Sequence, residues 1–262
     1  MIVDIHCHVY PDAIAERAVA GIGGFYGMPL VNKGTLSDLC HVHDEAGVTH
    51  ALVFSVATTP HQTESVNRFV AGLVEKGGGR LLGLGAMHPD SPDPEKDVET
   101  ILSLGLKGVK LHPDFQKFSA DDARCFRICE LCEGRLPLLI HCGDHRFDYS
   151  NPDRVERLLQ AFPRLTVLGA HLGGWSVWDD AVEKLSKYPN FLVDTSSSLY
   201  ALSPEKAREI VRRFGTDRVL FGSDYPMWPL TDEMKRFHAM GLTAEEEEHI
   251  LFQNAVRVFG FR

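Results

Sequence analysis

The sequence predicts an α/β fold, a single (β/α)8 barrel of the TIM type that occupies residues 1–262 as one domain. Three observations predict it: eight short apolar runs, amphipathic stretches between them, and a spacing of roughly 33 residues per strand–helix unit. Neither a linker nor a low-complexity segment interrupts the alternation, and barrels of this length are commonly one domain. In such a barrel, functional side chains gather at the carboxyl ends of the strands.

Each predicted strand is a continuous apolar run bounded by Gly, Pro, Asp or Asn, which is typical of parallel strands buried on both faces. The eight runs are residues 2–6, 48–56, 80–88, 107–112, 137–142, 165–171, 190–196 and 218–224. Capping residues or prolines open the helices predicted at 35–47, 119–134, 151–162 and 203–215. The glycine-rich piece 21–34 is predicted to be irregular and to form part of a lid or rim.

The charge balance and the hydropathy restrict the class of partner. The chain has 27 basic and 36 acidic residues, a formal net charge of −9, which disfavours a nucleic-acid partner. No run approaches the ~20 apolar residues of a membrane span, and the first residues lack the features of a secretory signal. We therefore expect a cytoplasmic protein that acts on a small-molecule substrate without a membrane partner, with a homodimer as the default assembly.

Six cysteines in a chain of this length predict free thiols rather than a disulfide framework. Cys125, Cys129 and Cys132 have the spacing found in radical enzymes that hold an iron–sulfur cluster with S-adenosylmethionine. Their positions at i, i+4 and i+7 of a predicted helix instead favour one buried apolar face. The radical iron–sulfur enzyme is kept as an alternative.

Histidine is abundant, with 13 residues, and six of them lie at or just past the end of a predicted strand. Taken in order, the strand ends carry His6, His8, His88, Lys110, His112, His141, His171 and Asp224. Packing alone explains such a cluster poorly, because each imidazole nitrogen needs a partner. The histidines assigned to helices or helix ends are expected to be structural or solvated: His41, His43, His50, His238 and His249.

The sequence predicts a metal site at these strand ends. His6 and His8, two residues apart on one strand, point to the same side and can reach a single ion. Asp224, just before a proline, is predicted either to accept hydrogen bonds that close the barrel or to be a ligand that doubles as a base. Imidazole and carboxylate ligands suit divalent Zn(II) best, with Mn, Fe, Co or Ni as alternatives.

A set of short motifs resembles the amidohydrolase superfamily. The motifs are His6-x-His8, GVKLHP at 108–113, IHCG at 140–143, GAHLGG at 169–174 and FGSDYP at 221–226. They look most like the amidohydrolase-related (amidohydrolase 2) branch, which includes the aminocarboxymuconate-semialdehyde decarboxylases. The resemblance runs from residue 2 to the C-terminus. It implies one metal held by His6, His8, His141 and Asp224, with His171 polarising the substrate or assisting the metal-bound water.

Lys110 leaves a second arrangement open. In binuclear members of the superfamily a lysine of the fourth strand is carbamylated and bridges two metals, so Lys110 and His171 would serve a second ion. Lys110 would otherwise remain an ammonium that binds a substrate carboxylate or pairs with an acid. His112 and His88 are predicted either to line the pocket or to hydrogen-bond their own turns. Arg146 is predicted either to clamp a substrate carboxylate or to form a surface ion pair.

The chemistry implied by the resemblance is hydrolysis of an amide, lactone or ester in a small, anionic substrate. A metal at this site lowers the pKa of a bound water from ~15.7 toward ~7. Asp224 would then take a proton and His171 would stabilise the oxyanion. The same ligands serve non-oxidative decarboxylation of an unsaturated or aromatic acid, so a carboxy-lyase stays open. Residues 4–8 also resemble TatD-like deoxyribonucleases, which the net charge of −9 disfavours.

Overall fold

The predicted barrel is present in the computed structural model, which describes residues 1–261. Parallel strands pair in the order of the sequence, the first three in one sheet and the following six in another. The third barrel strand is divided at Leu84. The N–H of Leu84 donates to the carbonyl of Val53 on the preceding strand (3.0 Å), whereas the N–H of Gly85 donates to the carbonyl of Gly108 beside the following strand (2.9 Å). The barrel closes where the N–H of Ile5 donates to the carbonyl of Phe221 (3.0 Å).

The strands are short and the helices surround them. The strands are β1 Val3–His8, β2 His50–Phe54, β3 Leu81–Gly83, β4 Gly85–Ala86, β5 Val109–Leu111, β6 Leu138–Ile140, β7 Val167–Gly169, β8 Phe191–Asp194 and β9 Val219–Leu220. The α-helices are α1 Asp12–Tyr26, α2 Leu36–Ala46, α3 Thr63–Lys76, α4 Pro94–Ser103, α5 Pro113–Gln116, α6 Ala123–Cys132, α7 Pro152–Ala161, α8 Trp178–Leu185, α9 Pro204–Phe214, α10 Leu230–Ala239, α11 Ala244–Glu248 and α12 Asn254–Phe259. No helix within residues 1–261 has both the length and the apolar character that crossing a bilayer requires.

The capping residue and the terminal glycine predicted for the helix at 35–47 are found at its two ends in the structure. Thr35 accepts a hydrogen bond from the N–H of Asp38 (3.3 Å), and α2 ends at Gly47 with a φ of 73°. The helix predicted at 119–134 is shorter, because Asp122 rather than Ser119 accepts bonds from the first free N–H groups of α6. Strand β1 runs two residues beyond its predicted end at residue 6, whereas the other predicted strands were too long at their carboxyl ends, where the backbone has already turned into the loops of the site.

The prediction of an irregular piece at 21–34 is wrong for its first part. Residues 21–26 are the end of α1, which stops at Gly27 in the left-handed region. Glycine weakens a helix, but Ile22 and Tyr26 cover the mouth of the barrel, and this contact overrides local propensity. The segment nevertheless lies at the rim of the site, as expected from the sequence.

Two further sequence interpretations are resolved by the fold. Cys125, Cys129 and Cys132 are fully buried on one face of the continuous helix α6, and no metal-binding group found among residues 1–261 includes them. This arrangement matches the buried face and offers no loop that wraps a cluster. His50, assigned to a helix or helix end, instead begins strand β2, because residues 48–49 form the turn after α2.

Glu233 of α10 is a buried carboxyl group and makes stability depend on pH. Its side chain is 1% exposed and pairs with Arg236, and burial raises its pKa to about 7. Between its ordinary pKa of 4.5 and 7 the folded chain holds this proton more tightly than the unfolded chain, so stability falls as pH rises.

Glu233→Gln is therefore expected to stabilise the protein by about 2 kcal/mol at pH 8 and to have little effect at pH 4. Thermal unfolding at both pH values measures the difference. The exposed Glu245→Gln serves as the control and should change stability at neither pH. An equal shift at pH 4 and pH 8 would contradict the assignment.

Candidate metal centre

Strand β1 places His6 and His8 on the same side of the barrel wall, as their spacing predicts. Their ring centroids are 5.3 Å apart, and both rings pack edge-on against Phe54 of β2. Gly222 permits this approach from the last strand, because a Cβ there would lie 2.8 Å from the Cβ of His6. The two imidazoles are thus held at the floor of the barrel mouth.

Asp224 reaches the same point from the loop after β9. Its Oδ1 lies 3.3 Å from Nε2 of His6 and 3.6 Å from Nε2 of His8. The hydroxyl of Ser197 donates to the other carboxylate oxygen, which leaves Oδ1 directed at the imidazoles. Burial raises the pKa of Asp224 to about 6, although the Ser197 bond and Lys110 act in the opposite direction.

Asp194 of β8 fixes the orientation of His6. Nδ1 of His6 lies 2.8 Å from Oδ2 of Asp194, so this nitrogen carries the ring proton and Nε2 keeps its lone pair. The other oxygen of Asp194 accepts the N–H groups of His171 and Ser196, each at 3.0 Å. Burial keeps the pKa of His6 well below its ordinary value, so the ring is neutral.

His141 and His171 meet beside this group. Nδ1 of His141 lies 2.9 Å from Nε2 of His171. The carbonyl of Gly143 lies 3.1 Å from Nε2 of His141, and the carbonyl of Ser196 lies 3.1 Å from Nδ1 of His171. Because carbonyls only accept, they assign the ring protons to those two nitrogens. The facing nitrogens are then two acceptors, which need a proton or a cation between or beside them.

Lys110 is fully buried next to the same imidazoles. Its Nζ lies 3.2 Å from Nε2 of His6 and 4.8 Å from the centre of the Phe54 ring. Burial lowers the pKa of Lys110 to about 8, while Asp194 and Asp224 act to raise it. The lysine predicted at the fourth strand therefore lies in the site itself.

The donor set fits a divalent metal. One donor atom each of His6, His8 and Asp224 lies within 4.8 Å of the other two. Nδ1 of His8 is buried without a hydrogen-bond partner among the described residues, and its Nε2 faces Asp224 beyond hydrogen-bond distance. An ion held between the two imidazoles and the carboxylate accounts for ring nitrogens that are buried without a hydrogen-bond partner.

His112 and Arg146, both predicted to bind substrate, occupy different positions. The His112 ring stacks on His141, with centroids 4.1 Å apart, and it lines the same cavity. The guanidinium of Arg146 does not line that cavity; it forms a bidentate pair with Asp144 and donates to the carbonyl of Phe25 (2.9 Å). Of the two roles predicted for Arg146, the structure shows the ion pair and not a position over the imidazoles: this arginine attaches the end of α1 to the loop after β6.

His88 contacts its own turn, since its Nδ1 accepts the N–H of Asp90 (3.1 Å). His43, expected to be structural or solvated, is buried and contacts Asp4 through Nε2 (3.2 Å).

Asp4, which the sequence interpretation did not include among the site residues, joins the two ends of the barrel. Its Oδ1 accepts the N–H groups of His6 (3.1 Å) and Ser223 (2.9 Å), and the Ser223 hydroxyl donates to Oδ2. Asp4 thereby holds the ligand strand β1 against the residue that precedes Asp224. Its place in D-x-H-x-H was a usable signal, and so was the position of Asp194 at a strand end.

Comparison with known proteins places the chain in one family. A family model described as Amidohydrolase matches residues 3–261. A comparison with curated proteins found no match. Among solved structures, 5-carboxyvanillate decarboxylase from Sphingomonas paucimobilis has a TM-score of 0.78 at 18% identity, covering 100% of this chain and 99% of that one.

Two more solved structures share the fold. A candidate 2-pyrone-4,6-dicarboxylic acid hydrolase from Pseudomonas putida has a TM-score of 0.68 at 19% identity, covering 100% and 98% of the two chains. A dihydroxybenzoic acid decarboxylase from Polaromonas sp. JS666, solved with manganese, has a TM-score of 0.74 at 15% identity, covering 98% and 96%. The resemblance read from the motifs is thus confirmed: the chain belongs to the amidohydrolase family, whose members are metal-dependent enzymes.

Proposed function

We propose that the protein is a metal-dependent hydrolase of a small, anionic organic substrate, an amide, lactone or ester. The observation that carries this proposal is the convergence of His6, His8 and Asp224, with one oxygen of Asp224 directed at both imidazoles. These residues, together with His141, would hold one divalent ion, for which zinc is the first candidate and manganese the second. When bound, the ion supplies Lewis acidity and activates water near neutral pH.

Three side chains have separate roles in the proposed reaction. Asp224 receives the proton of the attacking water at Oδ1, because Ser197 occupies its other oxygen. His171, held by Asp194 and Ser196, would support the oxyanion once its Nε2, which faces His141, carries a proton. Lys110 supplies the positive charge that attracts an anionic substrate. A second ion would require Lys110 to be carbamylated and to share that ion with His171.

A carboxy-lyase acting on an unsaturated or aromatic acid is the second candidate, and the closed roof of the site favours it. Ile22, Tyr26 and Phe115 cover the imidazoles and leave a space of only about 20 Å³. Such a roof removes water from a substrate carboxylate, which assists loss of carbon dioxide.

Elemental analysis of the purified protein is expected to find about one divalent transition metal per chain. Removal of the ion by a chelator should abolish turnover, and added Zn(II) or Mn(II) should restore it. Two ions per chain together with a carbamate on Lys110 would establish the binuclear form. Absence of any bound transition metal, with turnover unaffected by chelation, would refute the proposal.

A substrate screen separates the two reactions. Lactones, esters and amides are tested beside unsaturated and aromatic acids, and released carbon dioxide is trapped. Hydrolysis without carbon dioxide supports the first candidate, and carbon dioxide from an acid supports the second.

A further inference from the structure

A second cavity lies directly beside the metal centre, between helix α1 and the loops that follow β2 and β5. This space, called here the α1 cavity, has a volume of about 610 Å³. The space over the imidazoles, by contrast, accommodates one or two water molecules. An organic substrate therefore does not fit over the metal centre alone, and most of its volume must lie elsewhere.

Two side chains separate the spaces. Ile22 of α1 and Phe115 of α5 line both the metal centre and the α1 cavity. Both are only partly buried, and they are the two residues that line both spaces. The α1 cavity therefore borders the metal centre through two side chains that can change rotamer.

The lining of the α1 cavity is mostly apolar. It is formed largely by Ile14, Ala18, Phe25, Val56, Val66 and Phe69. A space of this size with apolar walls and few polar groups suits the ring or short alkyl chain of a small molecule.

One buried carboxylate lies in the wall between this apolar space and His141. The side chain of Asp114 is 1% exposed, and neither of its oxygens has a hydrogen-bond partner within residues 1–261. Nε2 of His141 lies 3.2 Å from Oδ2 of Asp114, but the carbonyl of Gly143 accepts the proton of that nitrogen. A buried carboxylate without a donor is costly, and a ligand hydroxyl or N–H removes that cost when the Asp114 side chain turns toward the cavity to meet it.

We propose that the α1 cavity binds an apolar group of the substrate, a ring or short alkyl chain, which bears one hydrogen-bond donor for Asp114. The reacting bond of the same molecule then lies past Ile22 and Phe115, over His6 and Asp224. This inference rests on the proposed function only for the identity of the reacting site. Binding in the cavity itself requires neither metal nor turnover.

Indole and indene test the proposal, because they share one bicyclic shape and only indole carries an N–H donor. Calorimetric titration of the full chain without added metal is expected to show binding of both, with indole about fivefold tighter. Ala18→Trp fills the cavity and should weaken the binding of indole and of indene at least tenfold. If that variant does not fold, Val66→Trp fills the cavity from the opposite wall and should have the same effect. Ala13→Trp, on the exposed face of α1, is the matched control and should leave both affinities unchanged.

Asp114→Leu removes the carboxylate at similar volume and should abolish the preference for indole while indene binding persists. Equal affinity of the wild type for indole and indene, or unchanged binding in both filled variants, would overturn the proposal. Indole should also compete with any substrate that the screen identifies; inhibition without competition overturns the link to the metal centre. If the protein binds indole but holds no metal and turns over no substrate, the proposed function is refuted and the proposal for the α1 cavity stands.

Discussion

Asp224→Asn is expected to lower kcat by about 10³-fold or more without loss of the fold. Asparagine keeps the shape of the side chain and still accepts the hydrogen bond of Ser197, which Trp228 in turn holds at 2.8 Å. It cannot receive a proton at the position of Oδ1. Steady-state kinetics on the metal-loaded variant measures the loss, and circular dichroism checks the fold.

The exposed Asp232→Asn on α10 is the matched control, since it removes one carboxylate outside the site. Its kcat should equal that of the unmodified protein. If Asp224→Asn retained more than about a tenth of kcat with its metal bound, Asp224 would not be the base.

The second large effect is expected from removing both histidines of β1. His6→Ala with His8→Ala deletes two of the ligands, so the bound metal should fall below about 0.1 ion per chain and turnover should disappear. The barrel should persist, because the core strands and their helices do not depend on these two rings. Elemental analysis and thermal unfolding measure the two effects separately.

His61→Ala provides the control for this variant. His61 is exposed and contacts only the hydroxyl of Thr59 (3.3 Å) among its side-chain hydrogen bonds. It should bind metal and turn over substrate normally. A β1 double variant that still held one ion and remained active would place the centre elsewhere in the barrel.

The barrel and the convergence of the candidate ligands were predictable because both depend on local pattern. Buried parallel strands leave continuous apolar runs, and the residues after them share one edge by topology alone. His6, His8 and Asp224 could therefore be assigned to one site without knowledge of any contact. The ring proton of His6 depends on Asp194 and the free oxygen of Asp224 on Ser197; the sequence places Asp194 at a strand end but does not show which group either residue contacts.

The parts that were missed depend on contacts between distant segments. Arg146 pairs with Asp144 of its own loop, but nothing in that loop indicates its other partner, the carbonyl of Phe25 at the end of α1. The helix over residues 21–26 contradicts the propensity of its glycines, because burial against the site decides its conformation. The α1 cavity has no signature in the chain, since its walls come from three separate stretches.

The bonds of Asp4 have a consequence for biosynthesis. They connect β1 with Ser223, so the ligands of the proposed metal come from nearly opposite ends of the polypeptide. A nascent chain that has reached residue 200 already contains His6 and His8 but lacks Asp224. The enzyme therefore becomes competent only after its last strand has joined the first. Turnover in a cell extract then measures only chains that extend past residue 224, because a product truncated before that residue would contribute protein without activity.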